Sequence, residues 1–214
     1  MLQKKAVDAP TLALIRSLQK RKYLEGFYLV GGTALALYYG HRKSLDIDLF
    51  SDFAFDTASI LEQIGQDYPF QITFTDTNTI KGQISGINVD IIAHRYSNIH
   101  SPVEFDSIAL RSEADILAMK LNALSVSGQR SKDFIDVYFG LKKHTVEELL
   151  VFYKKKYNQE NSVHVLKSLV YFDDVDLSDW PVLLLQKDLT WEKVKSVIEE
   201  AVIGHARSIA AGSG

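Results

Sequence analysis

Val30-Gly-Gly-Thr-Ala-Leu-Ala-Leu-Tyr-Tyr-Gly-His-Arg-Lys-Ser-Leu-Asp-Ile-Asp-Leu49 is the stretch that decides how the rest of the chain is read. Gly31 and Gly32 close a short apolar strand, and an apolar helix follows. A second strand then carries Asp46 and Asp48. Side chains alternate faces along a strand, so these two carboxylates point the same way. Glycine lets a ligand approach the backbone, and a helix start offers free N–H groups to phosphate. Mg²⁺ takes carboxylate and phosphate oxygens together. The stretch is therefore a candidate seat for Mg²⁺ and a nucleoside triphosphate. An ordinary tight turn and a solvent-facing strand are the plainer alternatives for the glycines and the aspartates.

The chain has 214 residues, room for one large domain or two small ones. A hydrophobic fraction of 46% and a charged fraction of 24% are ordinary for a globular protein. Net charge is −3, so no global basic field advertises nucleic acid, although 24 Lys and Arg leave room for a local basic cleft. The absence of cysteine excludes disulfides, thiolate zinc sites and cysteine nucleophiles. Met1-Leu-Gln-Lys-Lys5 lacks the apolar segment of about 7–15 residues that marks a signal peptide. Apolar runs such as 182–185 are too short to span a bilayer. The expected location is the cytoplasm, with no membrane partner, and residues 210–214 are expected to fray.

The pattern predicts helices over 10–23, 33–39 and 57–66, and strands over 27–30, 45–50, 71–75, 80–85 and 87–93. The last two strands should form a hairpin through Ser85-Gly86. After residue 107 the period becomes helical. Ser112-Glu-Ala-Asp115 and Thr145-Val-Glu-Glu148 fit capping boxes. Helices are expected over 112–126, 131–143, 145–157, 162–172 and 190–203. The fold class is α/β in the α+β sense: a mixed half, 1–107, then an all-helical half, 108–214.

Asp90, in Ile87-Asn-Val-Asp-Ile-Ile92, is a candidate third carboxylate on a neighbouring strand, or else a strand-end Asp without a ligand. Arg42 and Ser44 lie between glycines and aspartates; Arg42 suits a phosphate fork or a carboxylate partner equally. Lys120 falls inside the apolar arc of its helix, so it must snorkel, pair or face a cleft. In Arg130-Ser-Lys-Asp-Phe-Ile-Asp136, Asp133 and Asp136 are i and i+3 and share a face. Asp133 also suits the helix's first turn. Lys154, Lys155, Lys156 and Lys167 form a basic surface or merely a solvated face.

Val30-Gly31-Gly32, 13 intervening residues and Asp46-Ile-Asp-Leu49 resemble the general signature of the DNA polymerase beta-like nucleotidyltransferases. With Met119-Lys-Leu-Asn-Ala-Leu124, the 130–136 segment and, more weakly, Tyr171-Phe-Asp-Asp174, the chain resembles the AbiEii/AbiGii-type toxin nucleotidyltransferases. The resemblance implies a small mixed sheet flanked by helices, a C-terminal helical bundle, and a site in the cleft between them. It implies Mg²⁺ (one or two ions) with an NTP, and transfer of a nucleoside monophosphate to a hydroxyl with release of pyrophosphate. Asp46, Asp48 and Asp90 would hold metal. Gly31, Gly32, Thr33, Arg42, Ser44, Lys120, Lys132 and Asp133 would surround the nucleotide, Lys120 also acting catalytically by contacting phosphates or stabilising the leaving group. Asp136, or Asp133, would be the essential acid of the bundle and a base for the hydroxyl. The implied acceptor is RNA, foremost tRNA, and the implied partner an antitoxin. Transfer to a protein or small molecule, and a non-catalytic binding module of this fold, are the competing readings.

Overall fold

The computed structural model describes residues 2–212. Helix α1 (Ala9–Gln19) starts where Asp8 accepts the Thr11 N–H at 2.8 Å, with Pro10 in the first turn. Such a cap contributes about 1 kcal/mol. The helix stops short of the expected residue 23 because the chain extends at Arg21 and makes a 3₁₀ turn, Lys22–Leu24, that sends Leu24 into the core. Strand β1 (Tyr28–Leu29) leads into α2 (Gly31–Tyr39), which begins on the glycines themselves rather than at Thr33.

Strand β2 (Ile47–Ser51) starts after Asp46, later than expected, because the Asp46 carbonyl is met by the Thr33 hydroxyl instead of a strand. Helix α3 (Thr57–Asp67), capped by Asp56, buries Ile60 and Ile64. Strands β3 (Phe70–Asp76), β4 (Thr79–Ile84) and β5 (Ile87–Ala93) follow. Ser85 and Gly86 both have positive φ, as the type I′ turn of a two-residue hairpin requires.

Two further strands, β6 (Val103–Phe105) and β7 (Ile108–Leu110), were not expected. Their hairpin turns on Asp106 and Ser107, both at positive φ, so no glycine marks the turn in the sequence. The hairpin straddles residue 107, and the sheet ends only at Leu110. The sheet runs β3-β4-β5-β2-β1-β7-β6. The pairs β2–β5 and β1–β7 are parallel; the others are antiparallel. On β2 and β5, Ile47, Leu49, Val89 and Ile91 are buried on one face, while Asp48 and Asp90 lie half-buried on the other.

Helices α4 (Glu113–Val126), α5 (Ser131–Gly140), α6 (Val146–Tyr157), α7 (Val163–Leu169) and α8 (Trp191–Gly212) complete the fold. The Thr145/Glu148 capping box is formed in full. At α4 only half of the expected box forms. Ser112 Oγ accepts the Asp115 N–H, but the Asp115 carboxylate turns inward to the Ile99 N–H and to Lys156, 2.8 Å away. Lys156 is thereby buried and withdrawn from the basic surface drawn for it. Helix α5 ends at Gly140, not 143, in a turn that brings the His144 N–H back to the Gly140 carbonyl. Helix α8 runs past residue 203 and takes in 210–212, where alanines favour helix over fraying. Ser213 and Gly214 lie outside the described residues. Phe172 of the Tyr171–Asp174 segment packs on Phe134 and Trp191 against the core of the helical half, while Tyr171, Asp173 and Asp174 are exposed. Among the described residues no helix is long and apolar enough to cross a membrane.

Helix α2 is the hinge-pin of the assembly. Its residues Ala34 to Leu37 are buried all round, and it packs on β2, α4 and α5 together. The N-terminus of α2, the polar face of β2 and β5, and the inner faces of α4 and α5 therefore meet.

Candidate active site

They meet around a cleft of about 650 Å³. Asp48 and Asp90 are register partners on the parallel strands β2 and β5, and Asp46 stands two residues before Asp48. All three line the cleft. Burial, and then the Asp90 charge, push the Asp48 carboxyl up to about 6, with Lys120 pulling the other way. Asn88 Nδ2 donates to Asp46 Oδ1 at 2.8 Å, and Lys81 Nζ meets Asp90 Oδ2 at 2.5 Å. Among the described residues no group of three or more His, Cys, Asp or Glu forms a ready-made metal cage. The donor chemistry nevertheless fits Mg²⁺. Three hard carboxylates line one cleft, and one of them is held above its ordinary pKa by burial and then by its like-charged neighbours, a cost that a cation would relieve.

The glycines are demanded by this arrangement. Gly31 has φ +70, and a Cβ there would collide with Asp48 Oδ2; a Cβ on Gly32 would collide with the Arg42 guanidinium. The helix therefore starts directly against the carboxylates. The N–H groups of Gly31, Gly32 and Thr33 belong to the first turn, which an α-helix leaves without internal acceptors. Thr33 itself does not line the cleft. It is buried, and its hydroxyl bonds the Asp46 carbonyl and the Ser44 hydroxyl, so it shapes the loop rather than offering a side chain to a ligand. Ser44 does line the cleft.

Behind the cleft lies a buried charge network. Arg42 grips Asp136 with two bonds, Nε to Oδ1 at 2.7 Å and Nη2 to Oδ2 at 2.9 Å. His41 Nε2 adds a contact at 2.8 Å to Oδ1, and Lys120 Nζ one at 2.8 Å to Oδ2. Lys120 also meets Asp133 Oδ1 at 2.5 Å. Arg42 thus takes the carboxylate partner, not a free phosphate fork, although its guanidinium still edges the cleft. Burial lowers His41, which keeps the ring neutral and its Nε2–H available to donate. Burial opposes the Asp136 charge, but Arg42 and Lys120 hold this carboxyl well below its usual value. Asp136 is completely buried and does not line the cleft. A carboxylate with its oxygens filled and its basicity suppressed is unsuited to take a proton from a substrate hydroxyl. The contacts of Asp136 are instead those of an anchor for Arg42 and Lys120.

Lys120, Lys132 and Asp133 line the cleft from α4 and α5. Lys132 lies 3.5 Å from Asp179. Several cleft residues escaped the sequence reading. Asn88 was signalled, being two residues before Asp90 on the same strand. Arg130 was signalled as the head of the 130–136 segment. Asp179, His94 and Tyr157 carried no local signal, because separate elements bring them in.

A mixed sheet presenting paired strand aspartates beside a glycine-started helix, closed by a lysine-bearing helical bundle, defines a nucleotidyltransferase. The chain belongs to the AbiEii family: the profile of the nucleotidyl transferase AbiEii toxin, Type IV TA system, matches residues 13–201. It is 35% identical over 154 residues to an uncharacterised protein of Aquifex aeolicus, covering 69% of this chain and 74% of that one. Its fold is similar to that of JHP933 from Helicobacter pylori (18% identity, TM-score 0.50, 97% of this chain and 100% of the other). It is also similar to that of MenT4, a nucleotidyltransferase toxin of Mycobacterium tuberculosis (15% identity, TM-score 0.54, 91% and 83% covered).

Proposed function

We propose that this protein moves a nucleoside monophosphate from an NTP to a hydroxyl of RNA, foremost tRNA, in a Mg²⁺-dependent reaction, as the toxin of a toxin–antitoxin pair. The observation that carries this reading is the convergence of Asp46, Asp48 and Asp90 with the first turn of α2 and Lys120 in one cleft. Membership in a Type IV toxin family supports the toxin role and a cognate antitoxin.

In this reading the N–H groups of Gly31, Gly32 and Thr33, with Ser44, cradle the triphosphate. Asp46, Asp48 and Asp90 would hold Mg²⁺, Asn88 and Lys81 giving up part of their present contacts. Bound Mg²⁺ would neutralise phosphate charge and polarise the reacting phosphoryl group. Lys120, with Asp133 and Asp136 fixing its ammonium, offers positive charge to a phosphate oxygen or the leaving pyrophosphate. Lys132 and Asp133 flank the nucleotide. Residues 1–107 and 108–214 serve as the two walls of the cleft, and the substrates imply the cytoplasm.

The test is incubation with Mg²⁺, each α-labelled NTP and total RNA, with Asp46→Ala/Asp48→Ala as control. A labelled tRNA-sized band that disappears in the double variant is expected. Label on protein, or no label from any NTP, would overturn the RNA assignment.

A further inference from the structure

One end of the cleft is aromatic and the proposed function leaves it unused. Phe50 follows Asp48 by two residues on the same face of β2, and His94 lies four residues beyond Asp90. Two residues along a strand span about 7 Å, close to the size of one nucleoside. Tyr157 from α6 completes this wall, and all three rings line the cleft. The His94 and Tyr157 rings meet edge-on with centroids 5.8 Å apart, and the Tyr157 hydroxyl lies 3.3 Å from His94 Nε2. Tyr96 packs 4.7 Å from both rings, and the His94 N–H is tied to the Ser51 carbonyl at 2.8 Å. The wall is therefore held in place in advance. Burial, then the Lys156 charge, push His94 down to about 4, so it presents a neutral ring.

In-line displacement sets what belongs there. The attacking oxygen and the leaving pyrophosphate lie on opposite sides of the α-phosphorus. If pyrophosphate leaves towards the first turn of α2, which abuts Asp48 at Gly31 and Arg42 at Gly32, the attack comes from the side of Phe50 and His94. Resting on the proposed transferase reading, we infer that Phe50, His94 and Tyr157 form the acceptor subsite, where the unpaired terminal nucleobase of an RNA strand stacks and presents its ribose hydroxyl to the carboxylates. The hydroxyl oxygen bonds the α-phosphorus, the α–β bridging P–O bond breaks, pyrophosphate departs towards α2, and the hydroxyl proton passes to water.

The experiment uses the full chain, Mg²⁺, non-hydrolysable α,β-methylene NTPs and a short RNA ending in 2-aminopurine, whose fluorescence falls on stacking. Base–aromatic stacking predicts that His94→Ala and Phe50→Ala weaken RNA binding about tenfold and abolish the quench, while His94→Phe keeps both. NTP-analogue affinity should stay unchanged in all three. Weakened NTP binding with unchanged RNA binding would place the donor's base at this wall and overturn the inference. So would wild-type protein that binds Mg²⁺–NTP but neither binds nor quenches the RNA, and the transferase reading would survive that result. Wild-type protein that binds no NTP would defeat the transferase reading itself and this inference with it.

Discussion

Asp48 and Asp90 stand directly opposite each other on the parallel strands β2 and β5. Like charges so placed destabilise a sheet, and here burial and then the Asp90 charge raise the Asp48 carboxyl to about 6. In the proposed reading, a cation held by this pair would relieve that cost.

Asp48→Asn should therefore stabilise the metal-free protein. A carboxyl raised from 3.8 to about 6 holds its proton more tightly when folded, so its contribution falls as pH rises between those values. Asn removes that penalty at pH 7, a gain of about 1–3 kcal/mol, and gives little gain at pH 3.8 or below. Urea unfolding in EDTA at both pH values checks this; equal stabilities at pH 7 would contradict it. Transfer activity should fall about 100-fold or more.

Asp136→Ala should act in the opposite sense. It leaves Arg42 and Lys120 buried without their shared anion, at about 3–5 kcal/mol. Because the Asp136 carboxyl is depressed, its stabilisation is fully present above the ordinary 3.8 and is lost as pH falls through its lowered folded value. Chemical denaturation from pH 7 to pH 2 should show the gap between wild type and variant closing at the acid end.

His94→Phe should flatten part of the acid profile. His94 drops from 6.5 to about 4 on folding, so the unfolded chain takes up a proton first and stability falls as pH goes from 6.5 to 4. The variant lacks that loss, roughly 1–3 kcal/mol over the window. Melting temperatures of both proteins across pH 4 to 7 measure the difference.

Gly31→Ala should cost about 1–3 kcal/mol through its positive φ and displace Asp48 through its Cβ. Calorimetric titration with Mg²⁺ and NTP should show binding weakened about tenfold or more, whereas Gly65→Ala, whose Cβ meets open space, should leave binding unchanged.

Lys120→Met should lower kcat about 100-fold with a smaller change in NTP affinity, because in the proposed reading its charge serves a phosphoryl group whose charge shifts in the transition state. Single-turnover rates at saturating NTP separate the two effects. Affinity lost with an unchanged rate would make Lys120 a ground-state ligand instead.

What could be read from the chain was what local spacing encodes. The spacing of Asp46 and Asp48, the helix that follows the glycine pair and the Ser85-Gly86 hairpin are short-range features, readable from strand and turn patterns. The 3.6-residue period placed Lys120 in a buried arc and Asp133 and Asp136 on one face, and those three do meet. The β6–β7 hairpin escaped because Asp106 and Ser107 adopt positive φ without glycine's usual signal. Tertiary structure alone decided the partners. Asp136 is enclosed by basic side chains because α2, α4 and α5 pack so that Arg42, His41 and Lys120 converge on it. Lys156 left the surface because α6 lies against α4 at Asp115. Periodicity tells a side chain which face it occupies, but its charge state and role depend on what the opposite face brings, and that is set by packing between elements distant in sequence.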